Sequence, residues 1–312
     1  MGDYFNLVSI IGAVEQGLIY SMLALGLFLS FRILGLADLT VDGSFAFGGA
    51  VSAVLTFNGH PYLGIVLCFV AGCAAGFVTA LLQTKLKLQP IIAGILVMTS
   101  LYTINLWVMN KRPPVQLIGK KTVFTSLVES IGKTNAGIVI GGVFTLAALV
   151  FVIILLKTPL GMAIRATGDN EDMVRSSSIN VDFVKMLGLM IANGFVALSG
   201  GLLAQNQGSA DISMGNGMVV IGMASLIIGE VLFFGRKNIT KNAIVAVFGS
   251  IIYRIIITLV LFWNIDATDL KLISSAIVFL AISVPVFKQM YTDYATRQKA
   301  KNAQLQTEEA NV

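Results

Sequence analysis

Residues 158–180 read TPLGMAIRATGDNEDMVRSSSIN, a polar and charged stretch between two of the most apolar runs of the chain, 136–156 and 183–205. A charge at mid-membrane costs ~2.5–3.5 kcal/mol on insertion scales, so a segment this charged must leave the bilayer. It is also patterned. Thr158-Pro159 ends the preceding run, because proline pushes the residue before it out of the helical region. Gly161 and Gly168 are expected to allow tight turns. Asp169 or Asn170 is placed to cap a short helix, with Glu171 and Asp172 favourable in its first turn. That helix is expected to run through Met173, Val174 and Arg175 towards Ile179. A helix so short gains little stability alone. It reads as a docking surface more than as a solvated connector, and the chain as one piece of a larger machine.

The composition agrees. Hydrophobic residues fill 56% of 312 positions and charged residues 12%, against about 25% charged in soluble domains. Mean hydropathy is +0.86. Apolar runs of ~20 residues recur, the length of a spanning helix, and the ~10-residue alternating strands of a membrane barrel are absent. The expected fold is an all-α polytopic membrane protein of about nine helices (eight to ten), with spans near 9–31, 43–57, 62–83, 90–109, 136–156, 183–205, 217–234, 242–263 and 270–287. The second is short for ~30 Å of hydrocarbon and reads as half of a broken helix beside Asp38–Gly43. Residues 1–290 form one transmembrane domain with a loop at 110–135 and another at 157–182, and 291–312 form a tail.

Lys and Arg placement orients these spans. With the N-terminus outside, 14 of the 21 basic residues fall in cytoplasmic segments, 6 in external ones, and Arg254 within a span. N-out and C-in is therefore expected, with 157–182 cytoplasmic and 110–135 external. The external loop holds Lys111, Arg112, Lys120, Lys121 and Lys133, against the general bias. The N-terminus lacks a basic n-region, so no cleavable signal peptide is expected.

No catalytic constellation is visible. Gly132-Lys133-Thr134 falls short of a phosphate-binding loop, which needs glycine where Leu127 stands. Cys68 and Cys73 share one apolar run and read as structural thiols, and His60 lies alone in a turn. No metal, cofactor or nucleic-acid partner is expected; membrane lipid is the surrounding medium.

Candidates for a polar pathway are the charges and amides within or beside spans: Asp42, Ser44, Asn105, Asn193, Glu230 and Arg254, with Glu15, Gln16, Thr99, Ser100, Gln205 and Asn206 of similar character. Interhelical hydrogen bonds, each worth ~0.6 kcal/mol on average, are the competing role for any one of them. At ~1.5 Å rise per residue, Glu230 lies about 9 Å and Arg254 about 20 Å above the intervening turn, which disfavours a direct pair. Gly72-x-x-x-Gly76 and Gly137-x-x-x-Gly141 permit close helix approach.

These residues resemble a family. Leu18-Ile19-Tyr20-Ser21-Met22-Leu23-Ala24-Leu25-Gly26, Ala37-Asp38-Leu39-Thr40-Val41-Asp42-Gly43-Ser44, the string Thr158-x-x-Gly161-x-x-x-Arg165-Ala166-x-Gly168-x-Asn170 with Ile179-Asn180, and Ala197-Leu198-Ser199-Gly200-Gly201 are similar to permease subunits of ATP-binding-cassette importers, in the superfamily of the branched-chain amino acid and ribose permeases. The runs Phe31–Gly43 and Ala93–Thr99 resemble a sub-branch associated with tryptophan or tyrosine uptake. Two departures stand out. Ser178 replaces the usual glycine before Ile-Asn, and Ser176–Ser178 replace an alanine-rich helix.

The resemblance implies a bacterial plasma-membrane importer moving a small solute, with an amino acid the favoured class, by alternating access. It implies that Thr158, Gly161, Arg165, Ala166, Gly168, Asn170 and Glu171 form the segment that docks on a cytoplasmic ATPase subunit. That partner, and not this chain, would bind ATP-Mg and hydrolyse it. It further implies an external solute-binding protein or lipoprotein, for which the basic 110–135 loop is a candidate contact, and a second permease copy. An interfacial amphipathic segment is the other reading of that loop. A stand-alone secondary transporter or channel, or an importer of sugar or nucleoside, stays open at this point.

Overall fold

The computed structural model describes residues 7–233, 238–261, 272–277, 279–280 and 283. Helix α1 (Leu7–Leu27) continues as a π-helical stretch over Phe28–Ile33, followed by α2 (Thr40–Phe57), α3 (Pro61–Thr84) and α4 (Pro90–Val108). After the two-residue strand β1 (Val115–Gln116) come α5 (Val123–Ile131), α6 (Lys133–Lys157), α7 (Pro159–Asp169), α8 (Glu171–Ser176) and α9 (Val181–Gln207). Strand β2 (Ser209–Ala210) pairs antiparallel with β1, and a 3₁₀ turn (Ile212–Gly215) leads into α10 (Met218–Leu232) and α11 (Ile239–Leu261).

Eight of these segments are long and apolar enough to cross a membrane, so the polytopic all-α reading stands. Of the expected ninth span, 270–287, residues 272–277, 279–280 and 283 are described and helical, and the tail at 291–312 lies outside the described residues. Proline at the first position starts α3, α4 and α7, where its missing N–H costs nothing.

Helix α9 is the hub. Every residue from Ala192 to Gln205 is buried, as expected of a helix surrounded by others. It lies parallel to α2 in a register that advances four residues at a time. The Ser44 hydroxyl donates to Asn193 Oδ1 at 2.7 Å, Gly48 lies against the Ala197 carbonyl, and Ser52 donates to the Gly201 carbonyl at 3.0 Å. Against α3 it runs antiparallel. Gly72 and Gly76 of the small-x-x-x-small pattern sit on the Asn193 and Leu189 carbonyls, where a Cβ would collide. Close packing of this kind holds helices together in lipid, where the hydrophobic effect gives none. By contrast, α6 exposes Val139, Val143, Leu146, Val150 and Ile154, an apolar stripe at helical spacing that faces outward.

One expectation about a break is corrected. Helix α2 is continuous from Thr40, so Asp38–Gly43 is no half-helix. The seventh span is the broken one: the chain descends as β2 and the 3₁₀ turn before α10 begins at Met218.

Candidate functional site

Two regions carry the candidate residues. The first is the polar segment, at the end of the molecule that also holds Arg32 and Lys85. Thr158 caps α7: its Oγ1 accepts from the Gly161 N–H at 3.2 Å and donates to the Leu155 carbonyl at 2.6 Å. Asn170 caps α8 by accepting the Met173 N–H at 3.0 Å. The segment thus holds two helices rather than one. Gly161 and Gly168 are within α7, not in turns, and allow contact: Gly161 against the Leu155 backbone, Gly168 against the Ile33 carbonyl. The second helix ends at Ser176, short of Ile179.

Ile164 and Val174 are buried and pin the pair to the bundle. Glu171 accepts from Lys185 Nζ at 2.6 Å and Arg175 Nη2 at 2.9 Å. The Lys185 hydrogen bond first, and the Arg175 one second, hold its carboxyl below the usual carboxylate range. Asp182 extends the chain of charges, 3.9 Å from Arg175 and 3.7 Å from Lys85, which directly follows α3. What this platform leaves outward is partly apolar: Met173 is 52% exposed and Ile179 39%. Arg165 and Ala166 are half-buried on α7. Arg165 lines a cavity shared with Lys157 and with Asn238 and Thr240 before and in α11. Ser178, the departure from the family glycine, has φ +61°, directly after the Ser177 C-cap, where a left-handed residue normally ends a helix.

The second region is the interior between α2, α4, α9 and α10. Asp42 reaches across to the broken span, its Oδ2 accepting from the Gly217 N–H at 3.0 Å and its Oδ1 from the Val219 N–H at 2.8 Å. It is therefore the N-terminal cap of α10, supplied by another helix. Asp42 and Asn105 line one cavity of about 230 Å³ with Met98, Thr99, Tyr102 and Asn216. Ser44 and Asn193 meet nearby but within the helix interface: Asn193 Nδ2 donates to Asp38 Oδ2 at 2.7 Å, and Asp38 Oδ1 accepts the Thr40 N–H at 2.9 Å.

Glu230 and Arg254 do not pair. Glu230 binds Arg32 Nε at 2.8 Å, and Arg254 lies 4.1 Å over the Tyr20 ring. Asp38 was not among the pathway candidates of the sequence reading, whereas Gln205 was. Asp38, 3% exposed, anchors the Asn193 amide; its position in the ADLTVDGS stretch was the signal. Gln205 joins Ser52, the Pro61 carbonyl and the Val123 N–H, each at 3.0 Å, tying α5 to the bundle. Helix α5, closed by a Thr122/Thr125 capping box, makes part of the 110–135 loop a packed helix.

A helical membrane bundle with a broken span, a small cavity beside the break lined by Asp42 and Asn105 among apolar groups, and a capped, partly apolar platform at one end has the architecture of a permease. The family profile for the branched-chain amino acid transport system, permease component, matches residues 9–283. The chain belongs to this family, the membrane permeases of ATP-binding-cassette transporters, and is a multi-pass protein of the bacterial plasma membrane. It is 38% identical to the tyrosine transport system permease protein of Clostridioides difficile, over 87% of this chain and 90% of that one. To the ribose import permease protein RbsC of Haemophilus influenzae it is 26% identical, over 76% and 73%. The structure of PsaBC from Streptococcus pneumoniae in complex with Fab shares the fold, at a TM-score of 0.53 and 13% identity, covering 90% of this chain and 91% of that one.

Proposed function

We propose that this chain forms the translocation pathway of an importer for an amino acid, driven by ATP hydrolysis on a separate cytoplasmic subunit that docks on α7–α8. The observation that carries the docking is the platform itself. Two short helices are individually capped and Glu171 clasps the second to Lys185 of α9, yet Met173 on that helix and Ile179 just beyond it face solvent. Exposed apolar residues on a rigid, charged rim fit a protein contact.

In this reading the platform end is cytoplasmic, as the basic residues favour, so the chain is N-out and C-in. The opposite end, with Lys111, Arg112, Lys120 and Lys121, would meet an acidic surface of a solute-binding protein or lipoprotein. A second copy of the permease would complete the pathway. The amino-acid assignment is supported by the 38% identity to a tyrosine transport permease, against 26% to a ribose permease. A secondary transporter coupled through an intramembrane ion pair is disfavoured, since Glu230 and Arg254 have other partners.

Coupling has a continuous route. Gly168 of α7 rests on Ile33, the chain turns through Leu34 to Asp38, and α2 then carries Asp42 to the start of α10. Movement of the platform by the ATPase would bias that route between two states. The test is ATP-driven tyrosine uptake by the co-expressed complex in liposomes, with and without Met173→Glu. Loss of both the bound ATPase and the uptake in the variant is expected. Uptake that needs an ion gradient and no ATPase would overturn the reading.

A further inference from the structure

We propose that the cavity where α6, α7 and α11 meet is a binding site for an anionic phospholipid, its phosphate held by Lys157 and Arg165 and its chains lying along α6. This needs only that the chain spans a membrane with the platform at one surface, so it stands apart from the transport reading above.

Lys157 is the last residue of α6 and Ile239 the first of α11, and both helices are apolar and long enough to cross a membrane. Lys157, Ile239 and Thr240 line the cavity together with Arg165. It therefore lies where two spans leave the hydrocarbon, at the depth of phospholipid head groups.

Helix α6 is the most apolar of the eight spans and one of the two least buried. Its outward stripe, Val139, Val143, Leu146, Val150 and Ile154, advances by threes and fours, and the next step of that pattern is the exposed Lys157. Positions so spaced share one helix face. A lysine ending a lipid-facing stripe lays its stem along apolar surface and lifts its ammonium to the interface.

Arg165, half-buried on α7, brings a second cation to the same cavity. Among the described residues no carboxylate lines it, and neither cation takes part in an ion pair. By contrast Arg32, Lys85, Arg175 and Lys185, at the same end, each meet a carboxylate. The start of α11 adds the positive end of a 23-residue helix. Its cap is the neutral Asn238, whose Oδ1 accepts the Thr240 N–H at 3.2 Å, whereas the start of α10 already carries the charge of Asp42.

Two unpaired cations and a helix start gathered on one cavity call for an anion. A phosphate diester matches the planar fork of arginine, with the lysine as a point charge beside it. Basic pockets between spans bind such head groups. The volume of about 450 Å³, roughly fifteen waters at ~30 Å³ each, exceeds what an inorganic ion needs. The Ile153 wall of the cavity and the stripe beyond it favour a ligand with acyl chains over a soluble phosphate. Such a lipid would join α7, the first platform helix, to two spans.

The full chain, purified in detergent, is offered phosphatidylglycerol and phosphatidylcholine at equal concentration, and native mass spectrometry reads the bound lipid. A basic residue near an anionic surface is worth roughly fivefold in affinity, so a preference for phosphatidylglycerol of roughly twentyfold is expected. Lys157→Gln and Arg165→Gln should each cut it roughly fivefold and together abolish it. Arg165→Lys should retain most of it. Lys87→Gln, which removes another exposed lysine, should leave it unchanged. Phosphatidylglycerol should raise the unfolding temperature of the native chain and not of the double variant, while the two unfold alike without lipid. The proposal is overturned if the native chain shows no preference, or if the double variant keeps it. It is equally overturned if glycerophosphoglycerol, the same head without chains, displaces the lipid at equal concentration, which would make the cavity a site for a soluble phosphate.

Discussion

The N-terminus of α8 is capped by Asn170, the residue just before the helix, whereas that of α10 is capped by Asp42, which lies 175 positions before the Gly217 N–H that it accepts. The first cap organises a few residues of surface. The second joins two spans in the interior and sets the charge of a cavity. A local cap can fail without disturbing the bundle, but a remote one cannot, because its loss strands part-buried N–H groups and releases one helix from another.

The largest effect should therefore come from Asp42→Ala. With two part-buried donors left unpaired, the loss is about 2 kcal/mol, read as a drop in unfolding temperature of the detergent-purified protein, and transport should vanish with it. An unchanged unfolding temperature would break the contrast between the two caps. Asn170→Ala should cost about 1 kcal/mol, confined to α8. Its signature is reduced ATPase co-purification with the bundle's unfolding unaltered.

Ser178→Gly sharpens the comparison in the other direction. The backbone there is left-handed, a conformation that costs an ordinary residue about 1 kcal/mol, so glycine should stabilise the platform by roughly 0.5–1 kcal/mol. Slower amide hydrogen exchange across 171–178 would show it. The smallest effect is that of pH. The Glu171 clasp is present above the ordinary carboxylate pKa of about 4.3 and is lost only as pH falls through its lower folded value. ATPase retention should stay constant from about pH 8 to pH 5 and weaken below about pH 4.3.

The same contrast explains what could be read from the chain. Spans follow from apolar length, so the eight found among the described residues and most of their limits were legible. The Asn170 cap was legible because donor, acceptor and helix lie within four positions. The role of Asp42 was visible only as a charge near a membrane span, since nothing local says that its partners are Gly217 and Val219. Gly161 and Gly168 read as turns because glycine permits either a turn or a close approach, and only the packing against Leu155 and Ile33 distinguishes them. Ser44 and Asn193 were singled out for polarity in an apolar context. Their pairing with each other and with Asp38 depends on the α2–α9 register, which no short window of sequence holds.

The link between the two regions is the central claim, and thiol labelling tests it most directly. A single cysteine at Thr99, on the cavity wall, is introduced into a chain with Cys68 and Cys73 replaced by serine, and its labelling rate by a membrane-impermeant reagent is followed in the ATPase complex. Trapping the ATPase with ATP and vanadate should change that rate several-fold, and the change should disappear when Met173→Glu is added. A labelling rate indifferent to nucleotide, in a complex that still hydrolyses ATP and imports solute, would contradict the account.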